Sequence, residues 1–239
     1  SAWVAGFLAV LISYCGPLVI FIQAAQAGGM SQQMLTSWIW AISIGAGVSG
    51  LVLSVWLRQP IITAWSAPGT ALLLSLFPHI TMPEVVGAYL MAAALVIAIG
   101  ITGSFEKIVD RIPKGIAAGM MAGILFQFGT QAFRASMELP SVVFAMLAAY
   151  LLGKRYLPRY AIVLVALTGL AVAVAMGTTH LGALQLVMAR PVFTAPKFDA
   201  GVFLSFTVPL LMVSLTGQYL PGMAVLRLAG YRTPSRAVV

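Results

Sequence analysis

The residues best suited to bind a small molecule begin with the segment 59–70, QPIITAWSAPGT. Pro60, Pro68 and Gly69 oppose one continuous helix, because proline lacks an N–H group and the residue before it avoids helical dihedral angles. The pattern therefore predicts an extended stretch over 61–67, followed by a short helix. Unpaired N–H groups at the start of that helix, together with its dipole, are suited to an anion.

The short helix is predicted over residues 69–77. At about 1.5 Å per residue it reaches only half-way through a hydrocarbon core about 30 Å thick. Its N-terminus would then lie near the midplane, where irregular backbone is tolerated only inside protein or beside a cavity. The alternative is an ordinary proline kink. The residues predicted to form the binding site here are Trp65, Ser66, Ala67, Pro68, Gly69 and Thr70.

A second polar interruption, TGQYLPG, covers residues 216–222. Gln218 is costly in lipid without a partner, so its amide should face the protein interior, where it can donate to and accept from a substrate. Tyr219 can supply a ring face or a hydroxyl. The alternative is a hydrogen bond that joins two helices. The first apolar stretch similarly combines a polar aromatic residue with backbone breakers, and we predict that Tyr14, Gly16 and Pro17 face the same cavity.

The elements that must position these residues are membrane helices. Of 239 residues, 61% are hydrophobic and 8% are charged, and the mean hydropathy is +1.03. This composition excludes an ordinary water-soluble domain. It also excludes a nucleic-acid-binding protein, although the net charge is +8. With about 20 residues per crossing, the apolar stretches predict spans at about 3–27, 34–57, 61–77, 84–103, 115–132, 140–152, 160–178 and 202–226.

The basic residues support this count of eight spans. Ten of the thirteen Lys and Arg residues fall after even-numbered spans, and only Arg134, Arg190 and Lys197 fall in the other loops. Because basic loops stay in the cytoplasm, the alternation predicts a cytoplasmic N-terminus.

Internal similarity predicts how the spans are grouped. An offset of 201 residues lays Ser13 on Ser214, Gly16 on Gly217 and Gly29 on Gly230. A repeat of seven spans is odd in number, so a second copy would be inverted in the membrane. We therefore expect residues 1–200 to form a first repeat of seven spans and 201–239 to begin a second repeat, the rest of which is absent from the sequence.

Three of these motifs together resemble one family. Tyr14-Cys15-Gly16-Pro17, Trp65-Ser66-Ala67-Pro68-Gly69-Thr70 and Thr216-Gly217-Gln218-Tyr219-Leu220-Pro221-Gly222 are similar to the bacterial benzoate:proton symporters. The resemblance runs along the whole chain. That family is related to the nucleobase/ascorbate transporters, which implies an all-α polytopic fold. Their fourteen spans form two inverted repeats of seven, with short strands in the third and tenth spans.

The resemblance also implies a function. The protein would be a secondary active transporter of the bacterial inner membrane that imports an aromatic carboxylate, most simply benzoate, with protons and by alternating access. In the nucleobase relatives a substrate-binding Glu occupies the position of Gln218. An amide suits a carboxylate substrate, because a second carboxylate would repel it.

Proton coupling has no obvious residue, since no ionisable group falls well inside a predicted span. The acidic and His residues lie at span ends or in loops: Glu84, Glu106, Asp110, Glu138, Asp199, His79 and His180. We expect the coupling group in the absent second half. The alternatives are import of the neutral acid and exchange of anions.

Other functions fit poorly. No Cys/His metal spacing, catalytic nucleophile with its partners, or phosphate-binding loop occurs, so we expect no enzyme, metal or cofactor. The expected partners are the aromatic carboxylate, protons and membrane lipid, and the glycine-rich helix faces could serve a homodimer as readily as internal packing. A channel lined by half-helices is the stronger rival to a carrier, ahead of a structural membrane protein.

Overall fold

The computed structural model describes residues 6–7, 9–10, 14, 17–77, 79–158, 160–178 and 188–231. These residues are helical or irregular, and no β-strand occurs among them. The chain divides into two compact units. One contains Ser1–Leu18 and Leu125–Met188, and the other contains Val19–Ile124 and Ala189–Val239. Each unit is described separately below.

The helices follow the apolar stretches of the sequence. In chain order they are α1 Pro17–Ala27, α2 Gln32–Leu57, α3 Ala67–Leu76, α4 Met82–Thr102, α5 Phe105–Arg111, α6 Lys114–Glu138, α7 Pro140–Tyr156, α8 Ala161–Ala175 and α9 Ala200–Leu228. Within the described residues α2, α4 and α9 are long and apolar enough to cross a membrane, and α1, α3 and α8 are shorter apolar helices. An all-helical polytopic protein is thus confirmed. The count of eight spans and the inverted repeat stay predictions.

Polar caps fix where the helices of the second unit begin. Ser31 accepts a hydrogen bond from the Met34 backbone N–H (3.2 Å) at the start of α2. At the start of α4, the Glu84 carboxylate accepts from the Thr81 backbone N–H (2.9 Å). Such contacts satisfy N–H groups that a helix leaves unpaired in its first turn. The N-termini of α2 and α4 are therefore determined by the local sequence.

Helix α9 is continuous through the polar interruption predicted from its sequence, but it is locally widened. It contains two π-helical turns, Phe203–Thr207 and Leu215–Tyr219. Each turn ends just before a proline, Pro209 or Pro221. A proline ring clashes with the carbonyl four residues earlier, and these carbonyls lie inside the π turns. The wider turn accommodates the ring, so the helix bulges and does not break.

In the first unit, α7 and α8 form an antiparallel hairpin with close contacts at two glycines. A Cβ atom on Gly153 would lie 3.1 Å from the Ala161 Cα atom. A Cβ atom on Gly169 would lie 2.8 Å from the Met146 sulfur atom. The two helices approach closely because these positions carry no side chain.

Candidate functional site

The candidate site is built around the irregular segment 59–66, which lies between α2 and α3. The Ser54 hydroxyl of α2 forms hydrogen bonds with both backbone groups of Ile61, its N–H and its carbonyl. The hydroxyl donates to the Ile61 carbonyl oxygen (2.9 Å) and accepts from the Ile61 N–H (3.0 Å). A membrane interior offers little water to satisfy such groups. Ser54 therefore replaces the helical hydrogen bonds that Ile61 lacks.

A second polar contact fastens the middle of the segment to α2. The Thr63 hydroxyl donates to the Ala46 carbonyl oxygen (2.7 Å) and lies 2.9 Å from the Ser49 hydroxyl. Gly50 allows this approach, since a Cβ atom there would lie 3.0 Å from the Thr63 oxygen. Hydrogen bonds from Ile61 and Thr63 to α2 therefore fix the position of the irregular segment.

Helix α3 begins at Ala67, two residues before the predicted start at Gly69. Ser66 is its N-cap, and the Ser66 hydroxyl accepts from the Gly69 backbone N–H (3.1 Å). Proline is tolerated in the first helical turn, where an N–H group would be unpaired in any case. The prediction that Ala67 is extended is therefore wrong, whereas residues 61–66 are non-helical as predicted.

The N–H groups predicted to receive an anion are already paired. The Gly69 N–H donates to the Ser66 hydroxyl oxygen, and the Thr70 N–H donates to the Ser66 carbonyl oxygen (2.9 Å). Pro68 has no N–H group. An anion would have to displace the Ser66 cap to reach these donors. Because the Ser66 hydroxyl uses its oxygen as the acceptor, its O–H group can still donate to another molecule.

Helix α9 packs directly on this cap. A Cβ atom on Gly69 would lie 2.5 Å from the Leu210 Cδ1 atom and 2.9 Å from the Ser66 hydroxyl oxygen. Two turns further along α9, the Gln218 amide nitrogen donates to the Trp65 carbonyl oxygen over 3.5 Å. A carbonyl only accepts, so this contact orients the amide with its nitrogen toward Trp65.

These elements line a partly open cavity of about 870 Å³. Its wall is apolar along α4, at Ala92, Ala93, Val96 and Ile97. None of the described residues that line it is Asp, Glu, Lys, Arg or His. Its polar lining residues come from α2, the irregular segment, α4 and α9, and they are Ser49, Thr63, Ser66, Tyr89, Ser214, Gln218 and Tyr219.

The structure brings three of the predicted site residues to this cavity: Ser66, Gln218 and Tyr219. The Trp65 side chain is buried against Phe21 at 5.0 Å between ring centres.

Four further predicted residues of the second unit, Ala67, Pro68, Gly69 and Thr70, do not line the cavity. Gly69 and Thr70 are buried, and Ala67 and Pro68 are partly exposed. Tyr14 and Pro17 belong to the first unit, and Gly16 lies outside the described residues. A role for these three in binding stays a prediction.

Sequence reasoning missed four polar residues of the cavity: Ser49, Thr63, Tyr89 and Ser214. Ser214 precedes Gln218 by four residues, so helical spacing places both on one face. That spacing was the available signal. Ser49 and Tyr89 carry no such signal, because an isolated serine in an apolar helix often bonds within its own helix, and an isolated tyrosine is common at the membrane interface.

Comparison with known proteins decides the family. The family described as benzoate membrane transport protein matches residues 1–239, the whole chain. The chain belongs to this family. The predicted family resemblance is therefore confirmed.

Two curated relatives show how far the family similarity extends. The chain is 53% identical over 239 residues to a benzoate membrane transport protein of Acinetobacter baylyi, of which it covers 61%. It is 36% identical over 230 residues to the inner membrane protein YdcO of Escherichia coli, of which it covers 59%. The chain thus spans about 60% of the length of these relatives. No solved structure matches it.

Proposed function

We propose that this protein is a secondary active carrier that imports benzoate across the bacterial inner membrane, together with protons and by alternating access. Membership of the benzoate membrane transport protein family supports the substrate class. The observation that carries the proposal is the cavity of about 870 Å³ beside the irregular segment 59–66. Its volume falls within the range of small-molecule sites, and broken helices of this kind form the binding sites of many secondary transporters.

The lining suits a small aromatic acid. Ser66 and Gln218 offer hydrogen bonds to the carboxyl group from one side of the cavity. The aromatic ring packs on the apolar wall of α4 and against Tyr219, which a flat ring can contact by its face or edge. In this arrangement the Ser66 side chain, and not the paired Gly69 and Thr70 N–H groups, receives the carboxyl group.

The construction of the cavity supports the proposal of alternating access. One part of the wall is the irregular segment held on α2, and the adjoining part is α9 with its two π turns. Movement of one group of helices against another would open the cavity to either side of the membrane in turn. A cytoplasmic N-terminus, surrounding lipid and a homodimer complete the proposed arrangement.

Uptake measurements test the proposal. The intact protein is reconstituted into proteoliposomes, and uptake of labelled benzoate is followed with and without an inward proton gradient. We expect saturable uptake that the gradient accelerates and that uracil and inorganic anions do not inhibit. Uptake that is linear with concentration and indifferent to the gradient would contradict the carrier and support a channel.

A matched variant locates the site. Gln218→Ala should weaken uptake by about tenfold, since two hydrogen bonds to the substrate are lost. Gln26→Ala is the control, because Gln26 lies on the exposed side of α1 and does not line the cavity. Equal uptake by the two variants would remove Gln218 from the site.

A further inference from the structure

We propose that the cavity binds the substrate as the neutral carboxylic acid, so that the transported proton travels on the substrate itself. This inference rests on the proposed function and names the chemical form that the same site recognises. No amino-acid side chain then needs to change its protonation during transport. The substrate carboxylate takes up one proton from water on one side of the membrane, and the acid releases that proton on the other side.

The first argument is the absence of a counter-charge. The described lining residues include no Lys, Arg or His that could pair with a carboxylate. The ionisable residues that do line the cavity are Tyr89 on α4 and Tyr219 on α9. Phenols ionise at about pH 10, so both are neutral donors at physiological pH. Against these lining residues a carboxylate would lose water without gaining a charged partner, and proteins often neutralise a group in such surroundings.

The charged residues of the elements around the cavity lie elsewhere. Arg58 ends α2, Glu84 at the start of α4 is paired with Lys197, and Arg227 near the end of α9 lies 3.8 Å from Glu106 of α5. Helix α5 also carries Lys107, Asp110 and Arg111. None of these residues lines the cavity, so the described lining residues present no formal charge to the substrate.

The second argument is the start of α3, the one feature that could favour an anion. The Gly69 and Thr70 N–H groups are both taken by Ser66, through its hydroxyl and its carbonyl oxygen. A neutral acid needs neither group. It requires one donor for its carbonyl oxygen and one acceptor for its O–H group.

Gln218 supplies that pair of groups. Its nitrogen is oriented by the Trp65 carbonyl oxygen over 3.5 Å, which leaves the amide oxygen free to accept and the second N–H to donate. A primary amide and a carboxylic acid form two parallel hydrogen bonds with each other, because each offers one donor and one acceptor side by side. A carboxylate lacks the O–H group, so it can accept from the amide N–H but places an anionic oxygen against the amide oxygen. An amide therefore tolerates a carboxylate better than a Glu would, but it pairs fully only with the acid. Gln218 therefore discriminates between the two forms of the substrate.

Binding only the protonated form lowers the apparent affinity for total benzoate. With a carboxylic acid pKa of about 4, roughly one substrate molecule in a thousand is protonated at pH 7. The apparent affinity for total benzoate at pH 7 is therefore about a thousandfold lower than the affinity for the acid. It also rises as the outside becomes acidic, which is the direction in which a proton gradient drives uptake.

Direct binding to the purified, intact protein in nanodiscs tests the inference. The probes are labelled benzoate, the neutral isostere benzamide, and benzenesulfonate, which remains an anion at every pH used. We expect the dissociation constant for total benzoate to rise about tenfold per pH unit between pH 6 and pH 8. We also expect benzamide to compete equally at all pH values and benzenesulfonate not to compete.

The results that overturn the inference are specific. Competition by benzenesulfonate at low pH would mean that a protein group takes up the proton and that the anion binds. A dissociation constant for total benzoate that is unchanged from pH 5 to pH 8 would also overturn it. Either result leaves the proposed carrier function intact, whereas failure of benzoate to bind at any pH overturns both proposals.

A substitution separates the role of Gln218 from folding. Gln218→Leu should weaken benzoate and benzamide binding by tenfold or more, since the paired hydrogen bonds are lost and the side-chain size is kept. Gln26→Leu is the matched control and should bind as the wild type does. If Gln218→Leu unfolds, Gln218→Met keeps a flexible side chain of similar length, and unchanged binding by either folded variant would contradict the inference.

Discussion

At the scale of single residues, Gly69 is a predicted binding residue that also has a packing role in the structure. The sequence places it where a substrate carboxylate would meet free backbone N–H groups. In the structure its N–H donates to Ser66, and its missing side chain admits Leu210 of α9. The glycine is needed for helix contact and for the cap that faces the cavity.

We therefore predict that Gly69→Ala destabilises the protein through overpacking, by about 1–3 kcal/mol. The added Cβ atom would lie 2.5 Å from Leu210 and 2.9 Å from the Ser66 hydroxyl. Thermal unfolding in detergent measures the loss. The double variant Gly69→Ala, Leu210→Ala should lose less stability than the sum of the losses in the two single variants, because shortening Leu210 makes room for the new Cβ atom.

Gly47→Ala is the control for this prediction, because a Cβ atom on Gly47 would meet nothing within 4 Å. It should be neutral or slightly stabilising, since alanine favours a helix over glycine. Strictly additive effects of the Gly69 and Leu210 substitutions would contradict the packing explanation.

At the scale of elements, the sequence predicts where helices lie better than how they are joined. The apolar stretches locate α2, α4 and α9 to within about two residues at each end. Proline and glycine correctly predict the non-helical stretch 61–66. At Pro221 the same residue types suggest an interruption, but α9 continues there because a π turn accommodates the proline ring. Whether a proline ends a helix therefore depends on neighbouring packing and not on the proline alone.

The candidate site was less predictable than the helices, because its details also depend on contacts between elements. Gln218 and Ser66 are recognisable because a polar group in lipid needs a partner. Whether the Gly69 N–H is free depends on the side-chain rotamer of Ser66, which sequence does not specify. The polar residues Ser49 and Thr63 became visible only once the irregular segment was seen to lie on α2.

An irregular strap, residues 189–199, joins two elements of the second unit. The Val192 N–H donates to the Ser37 hydroxyl of α2 (2.8 Å), and the Lys197 N–H donates to the Pro83 carbonyl oxygen of α4 (2.9 Å). The Lys197 ammonium also contacts Glu84 at 2.7 Å. This hydrogen bond raises the pKa of Lys197, so the ammonium stays charged through neutral pH.

Gly87 permits the strap to lie on α4, and Gly87→Ala should displace its C-terminal end. A Cβ atom there would fall against the Lys197 carbonyl group, 2.8 Å from its carbon atom. Backbone cannot yield as a flexible side chain can. We expect faster hydrogen exchange at residues 195–199, measured by mass spectrometry, with less change at the Ser37 end.

Two controls define the strap prediction. Gly45→Ala should leave exchange unchanged, since a Cβ atom there meets nothing within 4 Å. Glu84→Gln removes the ion pair but keeps the backbone hydrogen bond, so its effect should be smaller than that of Gly87→Ala. Exchange that is identical in Gly87→Ala and wild type would show that α4 does not hold the strap.

At the scale of the whole molecule, the side of the membrane on which each later loop lies depends on whether the broken third span crosses the membrane. Helix α3 has 10 residues, about 15 Å at 1.5 Å each. The six residues 61–66, if extended, add about 20 Å at 3.3 Å each. Their sum of about 35 Å exceeds a hydrocarbon core of about 30 Å, so a crossing is feasible although α3 alone is too short.

If the third span crosses, the loop after α7 is cytoplasmic and the strap is external, which agrees with the basic residues Lys154 and Arg155 at the end of α7. In a background without Cys15 and without any cysteine in the rest of the intact protein, Leu157→Cys and Phe193→Cys report on the two sides. An impermeant maleimide applied to intact spheroplasts should label only Phe193→Cys, and both should react after permeabilisation. Labelling of Leu157→Cys in intact spheroplasts would mean that the segment returns to its starting face, which would remove the midspan position on which an alternating-access site depends.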